Sequence, residues 1–177
     1  SPCSLAEYGV TYRQVDLTED GGFDYEGIRK AINGKTKLVT IQRSKGYATR
    51  PSFSVKQIGE LIAFCKSIKP DVICMVDNCY GEFVDVIEPS DVGADMVVGS
   101  LIKNPGGGLA PTGGYIVGRE DLIERISYRL TAPGIGREVG SYAGSYQPFY
   151  QGLFMAPHVV AQAVKTSILA SAVFTGM

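Results

Sequence analysis

Residues 72–77 read VICMVD, and residues 95–108 read DMVVGSLIKNPGGG. The first is a continuous apolar run ending in an acid, the pattern of a strand covered on both faces inside a parallel sheet. The second opens with a short apolar strand at 95–99 and turns abruptly polar and glycine-rich. A third run, GYIV at 114–117, follows. Between the first strand and the residues before it, Ser54 and Gln57 form the S-x-x-Q of a capping box. Val55, Ile58, Leu61, Ile62, Cys65 and Ile68 then recur with helical spacing until Pro70. Further upstream, residues 10–17 and 36–41 are rich in β-branched side chains and predict strands. Between them Asp24 precedes a helical pattern of Tyr25, Ile28 and Ile32 closed by Gly34. Downstream, Glu120 and Asp121 open a helix with Leu122, Ile123, Ile126 and Leu130 on one side. Residues 132–152 read as an ordered loop, and Pro157 as the start of a helix carrying Val159, Val160, Ala163, Val164, Ile168 and Leu169. Strands alternating with helices predict an α/β fold with a mostly parallel sheet flanked by helices.

Composition narrows the partners. The chain has 177 residues, 45% of them hydrophobic, with 17 basic and 18 acidic residues and a net charge of -1, the profile of a soluble domain. That balance leaves no electrostatic footprint for nucleic acid or an anionic membrane. The longest apolar run, within 159–173, is broken by Gln162, Lys165, Thr166 and Ser167, and residues 1–20 lack the zones of a signal peptide, so a cytoplasmic protein is expected. Cys3, Cys65, Cys74 and Cys79 form no CxxC pair and the single histidine, His158, is remote from them, so no metal site is expected. Cys65 and Cys74 are read as buried, reduced thiols. One histidine and no Gly-x-Ser-x-Gly elbow weigh against a triad hydrolase. His158, beside Pro157, is expected on the surface or as a capping residue.

In an open α/β sheet, ligands bind beyond the carboxyl ends of the strands. Asp77 ends one apolar run, while Ser100 and Lys103 follow another, so an acid and a lysine are expected to share one edge of the sheet. A lysine that forms a Schiff base must reach its neutral amine form, against a reference pKa of about 10.4, and therefore needs desolvation or nearby positive charge. Leu101, Ile102 and the glycines after Lys103 are the candidates for a dry setting, with Gly106, Gly107 and Gly108 allowing close backbone approach. Each feature also has an ordinary reading: an Asp ending a strand as a turn residue, a Lys as a solvated charge, a glycine cluster as a loop. The lysine precedes the glycines, so this is not the phosphate loop of nucleotide hydrolases.

VDNCYGEFVD (76–85) and GADMVVGSLIKNPGGGLAPTGGYIVGR (93–119) resemble the cofactor site of the aluminium-resistance, methionine gamma-lyase-like family. This is a group of fold type I pyridoxal-phosphate (PLP) enzymes of cysteine and methionine metabolism. The resemblance extends through EYGVTYRQVDL (7–17), IQRSKGY (41–47), RLTAPGIGREVG (129–140) and YQGLFMAPHVV (150–160). It implies PLP as cofactor, Lys103 as the Schiff-base lysine, Asp77 as partner of the pyridine nitrogen and Ser100 as a phosphate ligand. Asn78 and Tyr80, beside Asp77, are expected to line the pocket or to make a structural turn. The wider superfamily places an asparagine where this chain has Gln42, Arg43, Ser44 and Tyr47. A surface salt bridge for Arg43 or Lys45 and a site role are both open.

The resemblance further implies that residues 1–156 belong to the large PLP-binding domain and that 157–177 form a helix leading towards a small C-terminal domain absent from this chain. The phosphate clamp, the ring-stacking aromatic and the arginine that grips the substrate carboxylate would also lie outside it. It implies a homodimer or homotetramer acting on a small-molecule amino acid. The leading expectation is a carbon–sulfur lyase. The alternatives are an aminotransferase or other PLP enzyme of the same fold, and a non-catalytic stress or metal-resistance protein.

Overall fold

The computed structural model describes residues 4–130, 132 and 134–176; Cys3, Thr131 and Pro133 of the stretch 129–140, and the last residue of 157–177 lie outside the described residues. Four strands form one sheet in the order β1 (Leu38–Gln42), β2 (Ile73–Asp77), β3 (Met96–Ser100) and β4 (Gly114–Gly118). The first three are parallel, and β4 runs antiparallel to β3 at the edge. Helix α1 (Tyr25–Ala31) precedes β1, α2 (Val55–Ile68) links β1 to β2, α3 (Glu120–Ser127) follows β4, and α4 (Gln147–Thr175) closes the order. The expected α/β architecture is therefore the one observed.

The capping box of α2 forms in full. The Ser54 hydroxyl accepts from the Gln57 N–H at 3.2 Å, and Gln57 Oε1 accepts from the Ser54 N–H at 2.9 Å. Ile58, Leu61, Ile62 and Cys65 of that helix pack on Ile41, Cys74 and Val76 of the sheet, and all seven are buried. Side chains alternate across a strand, so only this face of β2 is sealed: Cys74 and Val76 are buried, while Ile73, Met75 and Asp77 are half-buried. The expectation of a strand covered on both faces is thus corrected. An unbroken apolar run does not by itself report which of its two faces a helix covers. Cys65 and Cys74 are buried free thiols, as expected.

Asp95 anchors the far end of the sheet. Its carboxylate accepts from the Cys74 N–H at 2.8 Å and from Lys66 Nζ at 2.7 Å, and it pairs with Arg119 at 3.1 Å. Burial pushes this carboxyl up, but those three donors outweigh it and hold it below the ordinary aspartate range.

Two other expectations fail for physical reasons. Residues 10–17 form no strand; Val15 and Leu17 turn inwards, Leu17 onto the core and Val15 towards α1, while the backbone finds no ladder partner among the described residues. Pro157 does not begin the last helix. Pro148, in the first turn of α4, occupies the position where a missing N–H does no harm, and Pro157 lies inside the helix. His158 is accordingly an exposed residue within the helix and caps nothing. Only Gly152, Ala156 and Val160 of α4 are buried, one turn apart along a single stripe. Among the described residues α4, 29 residues long, is the one helix whose length and apolar composition would allow it to cross a membrane.

Candidate functional site

Asp77 is the last residue of β2 and pairs in register with Gln42 of β1 and Val98 of β3. Backbone bonding continues past it on both sides. The Arg43 N–H donates to the Asp77 carbonyl at 3.0 Å, and the Asn78 N–H donates to the Val98 carbonyl at 2.9 Å. Ser100 ends β3 on the neighbouring strand. The chain then turns tightly: the Lys103 N–H donates to the Ser100 carbonyl at 3.3 Å and the Gly106 N–H to the Lys103 carbonyl at 3.0 Å. Asp77, Ser100 and Lys103 therefore meet at the carboxyl ends of adjacent parallel strands, where the sequence places them.

The Lys103 ammonium sits 4.6 Å from the centre of the Tyr80 ring, a cation–π contact. Burial lowers its pKa, but a hydrogen bond with Cys79, followed by the charges of Cys79, Tyr80 and Asp77, outweighs burial and holds it above the ordinary lysine value. The expectation of a dry, pKa-lowering setting is not met among the described residues, since Ile102 is exposed and the charges that bear on Lys103 are those of Cys79, Tyr80 and Asp77. Tyr80 and Phe83 both adopt left-handed backbone, φ 66° and 63°, unusual for aromatic residues and a mark of a loop held by its surroundings. The glycines after Lys103 shape the site indirectly. A Cβ on Gly106 would lie 1.8 Å from the Leu101 carbonyl oxygen, and one on Gly107 would lie 2.3 Å from that of Gly152, so the lysine turn is pressed onto α4.

What holds the loop after Asp77 is Arg43, only 4% exposed. Its guanidinium donates to the Phe53 carbonyl at 3.3 Å, Asn78 Oδ1 at 2.9 Å, the Gly81 carbonyl at 3.0 Å and Asp85 at 2.6 Å, with Glu88 at 3.7 Å. Arg43 is thus neither a surface ion pair nor pointed at Lys103. Asn78 is 1% exposed, and its Nδ2 donates to Glu88 at 2.9 Å, so both ends of its amide are engaged within the protein. Its structural-turn reading is the one this geometry favours. Gln42 donates to the Ser44 carbonyl at 3.1 Å, and Tyr47 is fully exposed.

A second buried acid lies in the same loop. Glu82 Oε1 accepts from the Tyr115 hydroxyl at 2.7 Å, and its backbone carbonyl accepts from Asn104 Nδ2 at 3.0 Å. Neither Arg43 as a buried hub nor Glu82 and Tyr115 are foretold by the sequence. The signal available was charge set among apolar neighbours, Arg43 after LVTIQ and Glu82 within YGEFV. Two shallow surface grooves, one along Gly118, Glu120, Ile123, Glu124 and Arg137 and one along Arg13, Asp16, Asp24 and Lys30, lie away from Lys103.

Comparison with known proteins follows the same lines. The uncharacterized protein YnbB of Bacillus subtilis is 58% identical over 165 residues, covering 93% of this chain and 39% of its own length. The crystal structure of a carbon-sulfur lyase involved in aluminum resistance from Clostridium novyi is 50% identical with a TM-score of 0.92, covering 99% of this chain and 42% of that one. The L-methionine gamma-lyase of Treponema denticola is 26% identical over 129 residues, 71% of this chain and 31% of that protein. This chain thus spans well under half the length of each of these relatives. The profile of the methionine gamma-lyase family matches residues 1–177, and the chain belongs to that family.

Proposed function

We propose that this chain supplies the lysine-bearing part of a PLP-dependent carbon–sulfur lyase acting on a sulfur amino acid. The observation that carries the reading is the convergence of Asp77, Ser100 and Lys103 at the carboxyl ends of β2 and β3. The chemistry of this set fits the cofactor: an acid for the pyridine nitrogen, a hydroxyl for the phosphate and a primary amine for the aldehyde. When bound, PLP withdraws electrons from the α-carbon of an amino acid. Asp77 would keep the ring nitrogen protonated, and Lys103, freed by the substrate, would carry protons to and from carbon. Asn78 acts through the loop it orders. Elimination of sulfur is favoured by the name given to the Clostridium novyi protein and by the kinship with a methionine gamma-lyase. Residues 1–156 would form part of the large domain, and the complete enzyme would work in the cytoplasm as a homodimer or homotetramer.

A second reading, transamination, is favoured by a histidinol-phosphate aminotransferase of Staphylococcus epidermidis, 29% identical over 118 residues. The test uses the full-length protein. Borohydride reduction and peptide mass analysis should place a pyridoxyl group on Lys103, and its appearance on Lys45 or Lys165 sinks the assignment. Incubation with cysteine, cystathionine, homocysteine or methionine should release thiol or sulfide with ammonia and a keto acid. Keto acid that forms only with an added amino acceptor, and without a sulfur product, establishes transamination instead.

A further inference from the structure

Glu82 is 4% exposed and among the described residues has no counter-cation in contact: Oε1 accepts one side-chain bond, from Tyr115, and Oε2 is buried without a hydrogen-bond partner. A charged carboxylate in that position is more expensive than a neutral carboxylic acid, even though the proton of the neutral form, on Oε2, also finds no acceptor. The surroundings agree. Burial raises its pKa first and most; the Tyr115 hydroxyl and Glu82's own backbone lower it, Glu88 raises it and Arg43, itself tied to Asp85, lowers it, leaving the group above the ordinary glutamate value.

Its place explains why such a group is kept. Tyr115 stands on β4 directly opposite Gly99 of β3, the residue before Ser100. A Cβ on Gly99 would lie 2.5 Å from Glu82 Oε1 and 2.5 Å from the Tyr115 ring, so the acid and the phenol lie flat against the strand that ends in Ser100. The Glu82 carbonyl holds Asn104, the residue after Lys103. Three pieces of chain therefore meet on one residue: the loop after Asp77, the edge strand β4 and the lysine turn.

We propose that Glu82 is a positioning residue for Lys103: its neutral carboxyl holds Tyr115 of β4, its backbone carbonyl holds Asn104 of the lysine turn, and together they set the point from which the Lys103 side chain departs. The proposal rests on Lys103 being the cofactor-bearing lysine. A purely structural pair would lower resistance to unfolding and leave the behaviour of the lysine unchanged.

The experiment uses full-length protein loaded with PLP and the variants Tyr115→Phe, Asn104→Ala and Glu82→Gln. It measures PLP affinity, the pH midpoint of the visible absorbance of the lysine-bound cofactor, and the urea midpoint. Tyr115→Phe loses a single hydroxyl, so it carries the test even if Glu82→Gln folds poorly. Tyr115→Phe and Asn104→Ala should weaken PLP binding about tenfold, the scale of one hydrogen bond. They should also move the absorbance midpoint by roughly one pH unit. Glu82→Gln, which keeps the acceptor and is neutral, should stay within about twofold of wild type in affinity. Tyr115→Phe with a wild-type absorbance midpoint overturns the positioning role, whatever its urea midpoint. A Glu82→Gln shift as large as that of Tyr115→Phe overturns the neutral-acid assignment. If wild-type protein carries no pyridoxyl group on Lys103 after borohydride, the reading of the site fails and the positioning role falls with it, an outcome told apart from a failure of the role alone by the pyridoxyl label itself.

Discussion

Removing the Arg43 guanidinium strips donors from buried acceptors and from two partly exposed acids. Asn78 Oδ1 and the Gly81 carbonyl are both buried, and each is left without the donor it has in the native protein, at about 1–3 kcal/mol apiece, with a smaller loss at the Phe53 carbonyl, whose bond is the longest. The Asp85 side chain is 40% exposed and that of Glu88 34%, so both regain water and add at most about 1 kcal/mol together. Water entering the vacated volume recovers part of the loss, which puts Arg43→Ala at about 3–5 kcal/mol, the range for breaking a buried pair from one side. Arg43→Lys keeps the charge and most of the stem but cannot span four acceptors, and should lose about 2–3 kcal/mol. Urea unfolding of the full-length protein followed by circular dichroism measures both. Because the same loop presents Tyr80 to Lys103, PLP affinity should fall in parallel. A loss below about 1 kcal/mol for Arg43→Ala, smaller than one orphaned acceptor, refutes the reasoning.

Three further outcomes are expected. Asp77→Asn should keep PLP on Lys103 while slowing turnover about a hundredfold or more, because an amide cannot hold the ring nitrogen protonated; wild-type turnover with saturating PLP removes Asp77 from the mechanism. Asp95 has a depressed folded pKa, so its stabilisation is present above the unfolded aspartate value and disappears as pH falls through the folded one. Asp95→Asn should therefore be about 2 kcal/mol less stable at neutral pH and converge on wild type in acid, and a gap that widens on acidification contradicts this. Gly107 and Gly108 both have positive φ, 53° and 78°, but only Gly107 abuts α4. Gly108→Ala should lose about 1–2 kcal/mol from conformation alone and Gly107→Ala distinctly more, so equal losses in urea would remove the packing argument.

The parts of this fold that sequence discloses are those whose signals are local. The capping box of Ser54 and Gln57 and the spacing from Val55 to Ile68 place α2, and apolar runs that stop at Asp77 and Ser100 place two strand ends, because turn and cap chemistry acts within a few residues. Residues 10–17 have strand-like composition, yet a strand needs a neighbour, and no run of residues says whether one is free. Pro148 and Pro157 carry the same local signal; the difference is the contact of Gly152 and Ala156 with the lysine turn, which joins residues distant in sequence. Arg43 shows the limit most sharply. Its acceptors come from Phe53 and from 78–88, so its burial depends on a loop that the strand carrying it does not contain. Lys103 is a similar case: its position was legible, but its proton affinity is set by Cys79, Tyr80 and Asp77 across the strand boundary.

The backbone on either side of Asp77 has a consequence for motion. The amides of Arg43 and Asn78 extend the sheet ladder one residue beyond the acid on each flank, whereas the amide of Lys103 rests on a single 3.3 Å bond within its own turn. In deuterium exchange the first two should fall among the slowest amides of the protein and the third among the faster ones, since opening them means breaking the sheet in one case and unwinding a short turn in the other. That outcome would mount the acid on the slowest-opening part of the sheet and the amine on a turn that opens more readily, the division suited to one partner that stays fixed and one that leaves and returns.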